Sequence, residues 1–277
     1  FKRGDKLDKS TQQEYVSWTE DGKTWHGPEK TYEQGWRFWQ PIVHDDAVYV
    51  AAYRVDRTDL KPDGSIPPEA WEVRLLRSED GRQWQYISDI SLNEGGNETE
   101  LYVDENNVMH AYIRSAKRPG HLLHRSADYP YAQWTDAEDC GFNCEGQQVR
   151  KIHGRLFLAG RHRPSNSRIG TIFEPRHLIR TRLWVQARGY WVDYAQFPSN
   201  ADNSYPAMLA IDDKHMLLSY YSQHAYVNKP GFTDMDSSSD IYLAVIRTDA
   251  DPDWGQLAEL GKRALKQNDV DLQAGIV

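Results

Sequence analysis

Thr19-Glu20-Asp21-Gly22-Lys23-Thr24-Trp25 and Ser78-Glu79-Asp80-Gly81-Arg82-Gln83-Trp84 carry one pattern, [Ser/Thr]-x-Asp-Gly-x-x-Trp. Its chemistry is that of a hairpin turn. Gly takes positive φ freely, and the Asp carboxylate accepts backbone N–H groups of the same turn. The Trp is then expected to pack back onto its own sheet. Ser126-Ala127-Asp128, followed by Trp134, is a looser third copy with a longer turn. Similar hairpins recurring at intervals of about fifty residues imply a chain built from repeated sheets.

Working outward from these turns, apolar residues alternate with period two over 47–55, 71–77, 108–113, 155–159, 215–221 and 241–247, which predicts strands. Helix is expected only at the C-terminal end, over 254–267, where Leu257, Leu260, Ala264 and Leu265 share a face. The two full turns and the degenerate third resemble Asp boxes, the hairpin turns of sialidase-like β-propellers. That resemblance implies an all-β propeller of four-stranded antiparallel blades with a short C-terminal helix, forming a single domain over 1–277. A partial first blade ends after the first box, and the others run over 36–90, 97–136, 147–197 and 203–248. The count is five, or six if residues precede Phe1. The segment 271–277 is an alternative means of closing the ring, since closure removes sheet edges.

A net charge of -8 argues against a nucleic-acid partner, because polyphosphate binding needs a basic stripe. No uninterrupted apolar run approaches the roughly 18 residues of a membrane span, and Phe1-Lys2-Arg3-Gly4 lacks a signal peptide's apolar segment. The expectation is a soluble protein, secreted or periplasmic once a leader is removed. Ten Trp and 16 Tyr suit a carbohydrate partner, since aromatic rings combine apolar bulk with a polar tip. Cys140 and Cys144 are spaced to pair in an oxidising compartment and equally to remain free thiols. With His153 the only further ligand nearby, no metal and no cofactor is expected.

In a propeller blade the start of the innermost strand and the end of the second lie at the same mouth of the channel. This geometry selects Trp36, Arg37, Trp39, Glu98, Glu100, Glu145, Asn203 and Tyr205 at inner-strand starts. At second-strand ends it selects Tyr53, Arg54, Arg114, Arg161, His162, Tyr221 and His224. Arginine forks at such a mouth would bind an anionic sugar bidentately, and Trp faces such as that of Trp39 would stack on it.

The resemblance to sialidases extends over about 36–248. Asn97-Glu98-Thr99-Glu100-Leu101, leading through a turn to Arg114, resembles the sialidase element that carries the Glu assisting the nucleophile and an Arg of the substrate-carboxylate triad. Asn203-Ser204-Tyr205-Pro206 resembles the late strand whose Tyr is the nucleophile. The resemblance therefore implies Tyr205 as nucleophile, Glu98 as its base and Arg114 as a carboxylate ligand. Arg168, with Arg161 as its competitor, and Arg37 complete the triad, although Trp36-Arg37-Phe38-Trp39-Gln40-Pro41 departs from the family's Arg-Ile-Pro element. Asp56 is the matching acid/base at the start of the long loop 54–70.

These residues define a glycoside hydrolase of sialidase-like architecture acting on an acidic or decorated glycan. Two alternatives stand beside it. His162 and His224, with Tyr and Arg, would serve a lyase on a uronate-containing polysaccharide. A non-catalytic sugar- or protein-binding propeller would use the same turns as scaffold.

Overall fold

The computed structural model describes residues 12–55, 67–115, 120–163, 179–233, 237–252, 255–256 and 259. The chain forms two compact units, 1–143 and 144–277. In the first, β1 (Tyr15–Trp18) and β2 (His26–Lys30) make a hairpin. A five-stranded sheet follows, from β3 (Arg37–Phe38), β4 (Ile42–His44), β5 (Ala47–Val55), β6 (Trp71–Ser78) and β7 (Gln85–Leu92), in the order β3-β5-β6-β7 with β4 also on β5. The third sheet is β8 (Gly96–Val103), β9 (Val108–Ser115), β10 (Leu122–Asp128) and β11 (Glu138–Asp139). The second unit holds β12 (Glu145–Ile152), β13 (Arg155–His162), β14 (Arg180–Ala187) and β15 (Tyr190–Gln196) as one sheet. Its other sheet is β16 (Asn203–Ala210), β17 (His215–Ser222) and β18 (Asp240–Arg247). Every pairing is antiparallel.

The architecture is all-β, with four blade sheets of a β-propeller, which corrects the expected five or six. Counting the segment before the first box as a partial blade overcounted, because that turn joins only β1 and β2. Among the described residues no C-terminal helix forms an element. Gly255, Gln256 and Glu259 take helical backbone, and the rest of 254–267 lies outside the described residues, as does 271–277.

Each unit has its own core. In the first, Tyr49, Ala51, Val73, Leu75 and Ile90 meet Leu101, Met109, Ala111, Ile113 and Tyr131. In the second, Phe157, Ala159, Leu183 and Val185 meet Met208, Met216, Leu218 and Tyr220. The alternating runs of the sequence supply these side chains, one face of each strand turning to the core.

Inner strands behave differently. β8, β12 and β16 each carry a register irregularity within their first residues, between Gly96 and Thr99, Glu145 and Gln148, and Ser204 and Ala207. A bulge leaves extra residues opposite the partner strand and re-aims their side chains, a device concentrated near active sites. The residues so re-aimed include Asn97, Glu98, Gln147 and Tyr205.

The two Asp-Gly turns are superimposable in their bonding. Asp21 Oδ1 accepts the N–H groups of Lys23 and Thr24 at 2.8 and 2.7 Å, and Asp80 Oδ1 those of Arg82 and Gln83 at 2.8 and 2.9 Å. Thr19 and Ser78 hydroxyls accept from Gly22 and Gly81, whose φ values are 71° and 73°. The Trp residues diverge. Trp84 packs edge-on against Phe38, but Trp25 is 64% exposed, which corrects the expectation that both fold back. Among the described residues its hairpin is a sheet of two strands, in which Trp18 stacks on His26 beneath the Arg82 guanidinium. In the third copy the longer turn sends Trp134 Nε1 to the Ser88 hydroxyl at 3.0 Å.

Backbone N–H groups hold the Asp80 carboxyl down, to about 2. A depressed carboxyl contributes stability that is complete above its ordinary value of 3.8 and lost as pH falls through about 2. Thermal melts of the wild type are expected to fall more steeply in this acid window than those of Asp80→Asn. Gly81→Ala is expected to cost about 1 kcal/mol in urea unfolding, because its left-handed backbone disfavours a Cβ even where nothing lies within 4 Å.

Candidate functional site

Register brings the selected inner-strand starts beside the selected second-strand ends. Arg37 pairs with Tyr53, Glu145 with Arg161, and Ser204 with Tyr221, while the β8 bulge sets Glu98 beside Arg114.

In unit 1–143, Glu98 is 7% exposed and receives the Arg114 guanidinium at 2.6 Å. Arg37 stacks over the Tyr53 ring at 5.5 Å, and its Nε donates to Gln12. Burial, then the negative charge of Glu98, raises the Tyr53 phenol above its ordinary value, while Arg37 and Arg114 oppose the rise. Glu98, Arg114, Arg37 and Tyr53 thus form one electrostatic cluster. Among the described residues, the buried Arg37 Nη2 and Asn97 Oδ1 find no hydrogen-bond partner. Trp39, expected as a sugar platform, instead packs against the hydrophobic core, and its backbone N–H bonds to Ala51.

In unit 144–277 the centre is Arg161, 8% exposed. Its Nε donates to the Asn203 carbonyl, Nη1 to Glu145 at 3.1 Å, and Nη2 to Asp202 at 2.9 Å and to the Tyr221 hydroxyl at 3.0 Å. Tyr221 donates in turn to Asp202 at 2.7 Å, and Arg163 adds two bonds to Glu145 at 3.2 and 3.1 Å. At least four of the five Arg161 N–H groups are therefore committed within the protein. Little of its fork is left open. Burial is the main cause that raises the Tyr221 phenol, with Arg161 opposing and Asp202 reinforcing.

Tyr205 stands beside this network, its ring 5.5 Å from that of Tyr221. It is 48% exposed, and its φ is 47°; the preceding Ser204 has φ 146°. Two successive side-chain-bearing residues at positive φ are costly, so the surroundings must hold them. The Ser204 hydroxyl donates to the carbonyls of Glu145 and Gly146 at 2.8 and 3.1 Å. Gly146, at φ 59°, lies directly under the Tyr205 ring, where any Cβ would overlap it.

The two histidines have local contacts of their own. His162 meets Trp184 edge-on, and His224 bonds to the Ser222 hydroxyl at 3.0 Å and lies 4.4 Å from the Tyr242 ring. Asp56 and Arg168 lie outside the described residues. Cys140 and Cys144 are free thiols, and burial pushes the Cys140 thiol up to about 12. Sequence reasoning passed over Arg163, Asp202 and Gly146. A glycine interrupting Glu145-Gly146-Gln147-Gln148 was the available signal, since glycine within a strand marks a bulge or a close approach.

No family model and no curated protein matches the chain. Solved structures do. A protein of unknown function from Dyadobacter fermentans is 19% identical, with TM-score 0.60, over 83% of this chain and 63% of that one. The chain thus spans less than two thirds of that protein's length. An N-acetylgalactosamine deacetylase from F. plautii, in complex with blood group B trisaccharide, is 12% identical over 84% of this chain and 80% of that one, with TM-score 0.52. The likeness to these two is one of fold. A Trypanosoma rangeli sialidase is 14% identical over 76% of this chain and 36% of that one, with TM-score 0.49.

Removing a buried cation leaves its carboxylates unpaired, which is more damaging than never having built the pair. Here Arg163 still holds Glu145 and Asp202 is half-exposed, so Arg161→Met is expected to lower stability by about 2 kcal/mol, read as a reduced urea midpoint, through loss of the Arg161 hydrogen bonds to charged groups.

Proposed function

We propose that the chain acts as one domain and is a glycan-active enzyme: a glycoside hydrolase of sialidase-like architecture, working on an acidic or decorated glycan. The observation that carries this reading is Tyr205, an exposed phenol held on strained backbone against a glycine that leaves no space for a side chain. Strain of this kind persists where the surroundings over-determine it, and it concentrates where a group must be held ready to react. The fold shared with a carbohydrate deacetylase is compatible with a sugar ligand and assigns no chemistry by itself.

In this reading Tyr205 is the nucleophile. A phenol near its ordinary pKa of about 10 is weak, so it needs a base, the role given to Glu98. A neutral phenol that gives up its proton only as it attacks also avoids sending a bare carboxylate towards an anionic anomeric centre. Arg37, whose Nη2 has no acceptor among the described residues, and Arg114 hold the anionic group, with Arg168 as third member and Asp56 as acid/base. Arg161 and Tyr221 position the strand that carries Tyr205. On the same reading the Asp-Gly turns are Asp boxes, and the protein is secreted or periplasmic.

Reducing-sugar release from sialylated, uronate-containing and plant-type glycans tests the proposal. Tyr205→Phe should lower turnover by about 10³-fold with an unchanged melting temperature, in keeping with loss of a group taking part in the chemistry. Wild-type turnover by Tyr205→Phe would sink the assignment. Binding without turnover by the wild-type protein would instead establish a non-catalytic module, and new ultraviolet absorbance from an unsaturated product would establish a lyase.

A further inference from the structure

Away from that site, one face of the β8–β11 sheet holds two histidines on neighbouring strands. His110 Nδ1 and His124 Nε2 are 2.9 Å apart, and their rings stack at 5.2 Å with an interplanar angle of 18°. The outer nitrogens face carboxylates: His110 Nε2 lies 3.6 Å from Asp104, and His124 Nδ1 lies 3.4 Å from Glu138. Tyr102 stacks on His110, and Tyr112 tilts against His124 at 5.0 Å.

Proton counting decides the state of this row. An ionised carboxylate only accepts, so the His124 contact with Glu138 needs hydrogen on Nδ1, and the inner N···N contact needs one hydrogen between two nitrogens. Hydrogen on His110 Nδ1 and on His124 Nδ1 meets both needs, the lone pair of His124 Nε2 accepting from His110. A further proton on His124 Nε2 would set N–H against N–H at 2.9 Å, which breaks the contact.

We propose that His110 and His124 form a proton-sharing pair that joins β9 to β10 near neutral pH and opens when a further proton is bound. The other titratable or charged groups around the pair are Glu100 on β8, Arg114 on β9, Asp139 on β11 and Cys140 beyond it; Asp139 is already engaged by His121 at 2.9 Å. Burial and the neighbouring His110 lower the affinity of His124 for a proton. A histidine depressed in this way contributes stability that is complete above its ordinary value of 6.5 and lost as pH falls below it. The joint is thus acid-sensitive, independently of what the protein acts upon.

Ring-nitrogen NMR of the full chain tests this directly. At about pH 7, within the range where histidine changes charge, His124 should carry hydrogen on Nδ1 and accept at Nε2, with the Nε2 signal altered in His110→Gln. The wild type should also lose about 3 °C more in melting temperature between neutral and mildly acid pH than His124→Gln or His110→Gln does. Independent titration of the two rings in the wild type, or equal acid losses in all three proteins, would overturn the proposal. The wild-type titration decides the matter even where a variant does not fold.

Discussion

A buried guanidinium has five N–H groups to satisfy, and that requirement organises the site end of unit 144–277. Arg161 reaches the backbone of Asn203, the carboxylates of Glu145 and Asp202 and the hydroxyl of Tyr221, and so ties β13 to β12, β16 and β17. Each acceptor belongs to a strand start or a strand end. The clamp fixes the register at which β16 begins, and thereby where Tyr205 emerges. Surface ion pairs are worth little, but Arg161 and Glu145 are both buried and couple strongly to the fold, while Asp202 is half-exposed.

The bulge is the second element of the arrangement. An ideal strand would direct alternate residues to the core and to the opposite face without exception. Irregular starts in β8, β12 and β16 break that alternation, so Glu98 meets Arg114, and Tyr205 rises over Gly146. Repetition of the device in three sheets makes it a property of the blade design. What differs between blades is the chemistry placed on it: an ion pair in β8, a glycine in β12, a strained phenol in β16.

Legibility varied by element. Second and third strands were recovered nearly to the residue: 47–55 coincides with β5, and 215–221 falls one short of β17. β17 alternates buried with partly buried positions, whereas β5 is buried at seven of its nine and reads as an apolar run. Inner strands were harder, since Glu98, Glu100, Gln147 and Asn203 are buried polar residues that read as loop. The blade count failed for a related reason: a turn motif records a hairpin and not the presence of two further strands. Arg161 was found as a candidate but its bonds within the protein were not, because a sequence shows that a cation is present and not how many acceptors surround it.

The sequence by itself determined the class of structure, through period-two alternation and two Asp-Gly turns whose bonding is local to seven residues. It also selected the residues at strand starts and ends, since blade connectivity places those together whatever the side chains. Only the tertiary structure decided that Trp39 packs against the core, that Arg161 spends most of its donors within the protein, that Tyr205 is strained above a glycine, and that His110 and His124 share a contact. Local bonding and alternation depend on neighbours along the chain. Bond partners, strain and proton sharing depend on groups brought together across strands, and their outcome is set by distances that no spacing in the sequence encodes.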